Sequence, residues 1–284
     1  MAMNLLRVPG GLVVGARKPE QLAEFERWGA RTTTRLSDVA EAHVIFLCLP
    51  DGDAVEAVLF GPDGLAERLR PDTVIVDTST IAYAQALELA GRLANLRVHF
   101  LDAPVSGMAA RAADGTLTVM CGGDPNVFES VRKHLDLIGN KIVYAGPSGS
   151  GQLIKLINQL LFDINAAALA EILPMSAKLG LNSDLVAEVV NSGTGRSHAS
   201  EFFIPRILQG HFFDGYSMAH AYKDLVSGAG ISANLCVPMP VLAAATATYQ
   251  AALLSGHGDK DKGGMVRVFE DLLDVRYRSH PACP

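Results

Sequence analysis

The strongest constraint on the fold is a change of rhythm at Gly146-Pro147-Ser148-Gly149-Ser150-Gly151. Before this stretch, short apolar runs alternate with helical patterns. Strands are expected at 12–14, 43–49, 73–77, 98–102, 116–121 and 141–144. Helices are expected at 19–28, 53–59, 81–94 and 124–137, with a short one capped by Ser37 and running through Glu41. The first of these begins at Pro19 and has Gly29 just past its end, the usual asymmetry of helix termini. The run 43–49 is continuously apolar, as a strand buried on both faces should be. Alternation at this spacing builds βαβ units around a mostly parallel sheet, a doubly wound α/β architecture. After residue 151 strand patterns all but vanish. Helices are expected at 152–178, 183–191, 200–208, 222–233, 240–254 and 264–273. The first of these is ~40 Å long at ~1.5 Å per residue, and Pro174 should kink it. The chain therefore reads as two domains, 1–149 and 150–284.

A chain of 284 residues with 49% hydrophobic residues has ample material for two cores and is not disordered. Its formal net charge is −6, so it lacks the bulk basic footprint of a nucleic-acid binder. No stretch reaches ~18 uninterrupted apolar residues, and no basic segment with an apolar core opens the chain, so no membrane partner and no signal peptide are expected. Cys48, Cys121 and Cys236 lie in apolar runs and read as core thiols, and Cys283 completes a set with neither zinc nor disulfide spacing. The eight histidines show no ligand spacing, so no metal is expected. Free thiols and the lack of a leader point to the cytoplasm.

In a doubly wound sheet, ligands lie beyond the carboxyl ends of the strands. Leu49-Pro50-Asp51, Asp77-Thr78-Ser79-Thr80 and Asp102-Ala103-Pro104-Val105-Ser106-Gly107 should therefore share one edge. Ser106 and Gly107 could offer a hydroxyl and backbone N–H groups to a carboxylate, or form an ordinary turn of small residues. Leu153, Ile154, Leu156, Ile157, Leu160, Leu161 and Ile164 wrap most of the long helix, which reads as buried nearly all round. Lys155, Asn158 and Gln159 stand at i, i+3 and i+4 and share a narrow face. That face is either a solvated stripe or a lysine directed into a cleft, where its proton affinity is tunable for acid–base work. Lys223-Asp224 reads by itself as a surface pair.

Together these segments resemble the β-hydroxyacid dehydrogenase family, which includes 3-hydroxyisobutyrate dehydrogenases and tartronate semialdehyde reductases. The resemblance rests on the 102–107 segment, on Gly115-Thr116-Leu117-Thr118-Val119-Met120-Cys121-Gly122-Gly123, and on Gly149, Gly151, Lys155, Asn158 and Gln159 in a GxGxxxKxxN[NQ] pattern. Gly195-Arg196-Ser197, Lys223-Asp224-Leu225, Val237-Pro238-Met239-Pro240 and Gly256-His257-Gly258-Asp259 follow in the family's order. The resemblance implies that Lys155 is the general acid/base and that Asn158 orients the substrate or that lysine. It implies that Ser106 and Gly107 hold the carboxylate of a small substrate, that Leu49, Pro50 and Thr80 line a dinucleotide, and that Lys223 closes over it. It also implies a homo-oligomer, a dimer or tetramer, interlocked through the long helix and C-terminal bundle.

Four departures from the family pattern stand out. Met1-Ala2-Met3-Asn4-Leu5 matches a segment inside the first helix of the Rossmann-type domain, so the first strand and its GxGxxG turn are expected to be missing. That strand would be central and its turn would cradle the pyrophosphate, so weakened cofactor binding is expected. Met108-Ala109 stands where the family has another glycine, His198 where Trp is common, and Lys262-Gly263-Gly264 where an aromatic-Ser-Ala run is frequent. After the 12–14 strand, where an NAD enzyme places Asp or Glu to grip the ribose 2′-OH, the chain has Gly15-Ala16-Arg17-Lys18. Arg17 and Lys18 point to NADP, with NAD as the alternative. The expected activity is hydride transfer between NADP(H) and a small 3-hydroxy acid or its semialdehyde. Imine reduction on the same scaffold, and a non-catalytic oligomeric scaffold, are the alternatives.

Overall fold

The computed structural model describes residues 1–8 and 10–279. The chain divides into two compact units, Met1–Lys155 and Leu156–Pro284. The division falls inside the long helix Ser150–Lys178, which Pro174 interrupts in sequence without ending.

Among the described residues the first unit contains eight strands: β1 (Val13–Gly15), β2 (Arg31–Thr33), β3 (Val44–Leu47), β4 (Val74–Asp77), β5 (His99–Asp102), β6 (Val105–Ser106), β7 (Leu117–Gly122) and β8 (Gly139–Gly146). β3, β4 and β5 pair in parallel, with Leu47, Asp77 and Asp102 in one register row at their carboxyl ends. β7 runs antiparallel to β5 and β6 and parallel to β8. Alternation along β4 sends Val74 and Val76 to one core and Ile75 to another. Ile75 shares its cluster with Leu89 and Leu93 of the helix Tyr83–Asn95, whereas Val76 shares its own with Phe128, Val131 and Leu135 of the helix Pro125–Ile138. Helices thus cover both faces, as the doubly wound reading requires. Each buried Leu contributes ~1.5–3 kcal/mol relative to exposure. Asp124 caps the second of these helices, accepting from the backbone N–H groups of Asn126 (2.8 Å) and Val127 (3.1 Å) with Pro125 at the first position.

The sheet is divided. β1 and β2 form a separate parallel pair, and β3 is the edge of the six-stranded sheet. The edge position explains why the 43–49 run is not buried on both faces: Val44 and Phe46 are half-buried because β3 has a neighbour on one side only. The short helix after β2 is Leu36–Val39, with Arg35 at its N-cap, so Ser37 lies inside it rather than capping it.

The second unit is helical. Ala166, Ala167, Ala170 and Leu173 of the long helix pack with Phe203, Ile204, Ile207, Leu225, Leu242, Tyr249 and Met265. The long helix is long and apolar enough to cross a membrane by length and composition alone, but these residues make it the core helix of this unit. It is not buried all round, because its own unit covers one flank: Ile157 and Leu161 are each 60% exposed, and Ile154 is exposed as well. Lys223 lies in the second turn of the helix Met218–Leu235 rather than opening it. The cysteines are corrected in the same way: Cys121 is buried in the sheet, but Cys48 follows β3 at its exposed end and Cys236 terminates Met218–Leu235 in a left-handed conformation, so both are exposed. Cys283 lies outside the described residues.

Candidate active site

The site in the first unit is built where β3, β4 and β5 end. The backbone N–H of Leu49 donates to Ser79 Oγ (2.9 Å), and the Thr78 hydroxyl donates to the Leu47 carbonyl (2.6 Å). These bonds tie two of the expected ligand-edge segments together. Leu49 and Thr80 are half-buried there, and Pro50 is exposed. Ser79 donates its backbone N–H to Asp77 Oδ1 (2.9 Å).

The third segment anchors the long helix. Asp102 is fully buried at the end of β5, and its two oxygens accept the backbone N–H groups of Gly149 (2.7 Å) and Gln152 (3.0 Å). A carboxylate here satisfies donors that a helix start leaves without intrahelical partners and complements the positive end of the helix. Gln152 completes the clamp: its Nε2 donates to the Ser79 carbonyl (2.8 Å) and its Oε1 accepts from the Ile81 N–H (3.2 Å). Gly151 is required by contact, since a Cβ there would lie 2.3 Å from the Met120 carbonyl oxygen and 2.6 Å from that of Asp102. This gives a physical reason for the Gly-Ser-Gly spelling before the helix. Lys155 follows Gln152 by three residues, and only 8% of it is exposed. Lys155 itself is therefore withdrawn from solvent, whereas Asn158 on the same narrow face is exposed and Gln159 half-buried.

Ser106 and Gly107 lie past β5, half-buried, where β6 runs beside Val119 and Thr118. Arg17 and Lys18 are exposed immediately after β1, on the separate strand pair. Two cations and no carboxylate directly follow the strand. In the helical unit, Asn158 and Lys223 are exposed, and Gln159 Nε2 reaches Asp224 Oδ2 (3.4 Å) beside Lys223. Among the described residues no cluster of three or more His, Cys, Asp or Glu side chains is placed to hold a metal.

Two buried features escaped the sequence reading. Asp77 is fully buried and its Oδ2 has no hydrogen-bond partner. Burial pushes its carboxyl up to about 6; the Ser79 hydrogen bonds oppose this and the charge of Asp102 adds to it. Burial also raises Asp102, against the pull of the backbone donors. The other feature is in the helical unit: Lys262 donates to Asp163 Oδ1, both side chains are fully buried, and Tyr249 Oη donates to the same oxygen (3.2 Å). The only available signal was the Lys262 departure already noted; nothing in the helical periodicity marked Asp163 as its partner.

The Asp77 geometry yields a pH prediction. In the unfolded chain an Asp titrates near ~3.9, so between about pH 4 and 6 the folded state binds more protons. The stability contributed by the neutral form is complete below that window and is lost as pH rises through about 6, a change of about 3 kcal/mol. Asp77→Asn keeps an acceptor for Ser79 and removes the charge. Urea unfolding should show the variant gaining ~1–1.5 kcal/mol on the wild type between pH 5 and pH 7.5. A difference independent of pH would refute the account.

Comparison with known proteins accords with this geometry. Residues 1–146 match the NAD binding domain of 6-phosphogluconate dehydrogenase, and residues 149–269 match the NAD-binding domain of NADP-dependent 3-hydroxyisobutyrate dehydrogenase. The chain belongs to the β-hydroxyacid dehydrogenase family, NAD(P)-dependent oxidoreductases acting on CH–OH groups. It is 34% identical to 2-(hydroxymethyl)glutarate dehydrogenase of Eubacterium barkeri, over 97% of this chain and 92% of that protein. Among solved structures, 3-hydroxyisobutyrate dehydrogenase from Salmonella typhimurium superposes with a TM-score of 0.86 at 28% identity, covering 94% of each chain. Psf3, solved in complex with NADP+ and 2-OPP, superposes at 0.81 with 26% identity and 95% coverage of each chain. The cofactor is accordingly NADP or NAD.

Proposed function

We propose that this protein interconverts a small 3-hydroxy acid and its semialdehyde, prefers NADP(H), and uses Lys155 as general acid/base. The observation that carries the reading is a buried lysine on a helix whose first turn is clamped, through Asp102 and Gln152, to the carboxyl edge of the sheet. The bound nicotinamide supplies or accepts the hydride. The chain's own part is to hold and move the proton. In reduction the Lys155 ammonium donates to the developing alkoxide oxygen of the substrate; in oxidation the neutral amine accepts the hydroxyl proton. Ser106 and Gly107 hold the substrate carboxylate with a hydroxyl and backbone N–H groups. Asn158 orients the substrate or the amine. Leu49, Pro50 and Thr80 line the dinucleotide, and Lys223 closes over it. The test is a panel of 3-hydroxy acids and semialdehydes followed by nicotinamide absorbance; absence of turnover across the panel refutes the reading.

Arg17 and Lys18 would take the 2′-phosphate of NADP. A charged hydrogen bond of this kind contributes ~1.5–3 kcal/mol. Replacing both residues with Ala should lower kcat/KM for NADPH by ~10²-fold or more and leave NADH within a few-fold. A wild type that prefers NADH would overturn the assignment. Self-association belongs to the same reading. Ile157 and Leu161 on the long helix, and Leu185 and Val189 on the helix Ser183–Ser192, are each at least 60% exposed, two apolar pairs suited to contact with a second copy of the chain.

A further inference from the structure

Among the described residues, five that are not glycine adopt a left-handed backbone: Asp72, Arg97, Met108, Cys236 and Asp274. Four of them sit where chains ordinarily bend back. Cys236 and Asp274 terminate helices, Arg97 lies two residues past the helix Tyr83–Asn95, and Asp72 is in the turn before β4. Met108 is different. It is the first residue of the helix Met108–Asp114, with φ +60° directly after Gly107 at φ +141°. No helix C-terminus asks for a left-handed residue there, and an unbranched side chain adopts that conformation only when its surroundings hold it.

Those surroundings are visible. A Cβ on Gly107 would meet Arg111 Cβ at 2.9 Å and Leu117 Cδ2 at 3.0 Å, so the inner side of the turn is filled. Arg111 itself donates to the Thr116 carbonyl and reaches Asn140 Oδ1 (3.4 Å), which closes the loop behind it. The turn therefore leaves the Met108 side chain outside, where it remains 47% exposed next to Ser106 and Gly107. Strained backbone of this kind clusters at ligand clamps.

We propose that Met108 is a specificity-determining residue. Its thioether forms an apolar wall beside the Ser106–Gly107 turn, so the site favours 3-hydroxy acids whose remaining substituent is alkyl over those in which it is a hydroxyl. The inference rests on the proposed role of that turn in holding the substrate carboxylate. An alkyl group against the thioether gives up no hydrogen bond. A hydroxyl in the same place loses water and meets only a weak sulfur acceptor.

The experiment compares 3-hydroxyisobutyrate with glycerate, which replaces its methyl by a hydroxyl. The wild type should show kcat/KM higher for the methyl compound by ~10–100-fold, the range one group in an apolar pocket supplies. Met108→Gly suits the left-handed backbone and should bring that ratio to within about threefold of one, whereas Met108→Leu should retain it. A wild type that turns over both substrates with the same ratio as Met108→Gly overturns the role of Met108 and leaves the hydroxy-acid reading standing. A wild type that turns over neither compound, nor any other 3-hydroxy acid, overturns both.

Discussion

Lys155→Ala should lower kcat by ~10²–10⁴ while the protein remains folded, the usual effect of removing a general acid or base. The magnitude follows from the position. The side chain is held by a helix whose start is fixed by four hydrogen bonds, two accepted by Asp102 and two between the Gln152 side chain and the 79–81 turn, one donated by Gln152 and one by the Ile81 N–H. A positioned proton donor contributes through that fixity. Lys155→Arg keeps the charge but can neither give up nor take back a proton in the accessible pH range, so it should rescue neither direction. Steady-state rates in both directions, with far-UV circular dichroism as a control on folding, read this directly. A folded Lys155→Ala variant with wild-type kcat would remove the amine from the mechanism.

Lys262→Met should destabilise the protein by ~3–5 kcal/mol, the cost of leaving a buried charge without its partner. Lys262 lies against Asp163 and over the Phe162 ring, with its nitrogen 4.3 Å from the ring centre, and both charged side chains are fully buried. Asp163 Oδ2 has no partner, so besides the lysine the Tyr249 hydroxyl supports the carboxylate, through Oδ1. Burial pushes Asp163 up to about 6 even against the pull of the lysine. Removing the cation leaves the carboxyl to protonate or to remain charged in an apolar setting. The double variant Asp163→Leu/Lys262→Met should recover to within ~1 kcal/mol of wild type, since apolar replacement of a whole buried pair is often neutral. Chemical unfolding of the two single variants, the double and the wild type closes the cycle. A double variant whose loss equals the sum of the two single losses would show that the sites act independently.

Much of the architecture was legible because parallel strands covered on both faces are spelled as apolar runs. Ile75 and Val76 declare β4 without help from the rest of the chain. Tertiary placement was harder to read. The 43–49 run has the same apolar spelling, yet β3 is an edge, because edge position depends on which strands exist elsewhere rather than on its own residues. The exposed flank of the long helix was misread for a similar reason: Ile157 and Leu161 spell burial, and periodicity does not say what does the burying. At the site, Lys155 was found by pattern and its burial is new. The clamp that holds it was invisible, since a Gln three residues before a Lys carries no signature, and Asp102 looked like one more turn residue. The Asp163–Lys262 pair shows the limit most clearly: its members are 99 residues apart, and nothing local to either names the other.

The separation of β1 and β2 from the larger sheet has a thermodynamic corollary. A lone two-stranded ribbon is at the margin of independent stability in water. If Arg17 and Lys18 take the phosphate as proposed, nucleotide affinity and the local folding equilibrium of that ribbon are linked quantities. Part of the binding energy then goes into holding two short strands together, and a substitution that merely tightens the ribbon would increase affinity without touching the nucleotide.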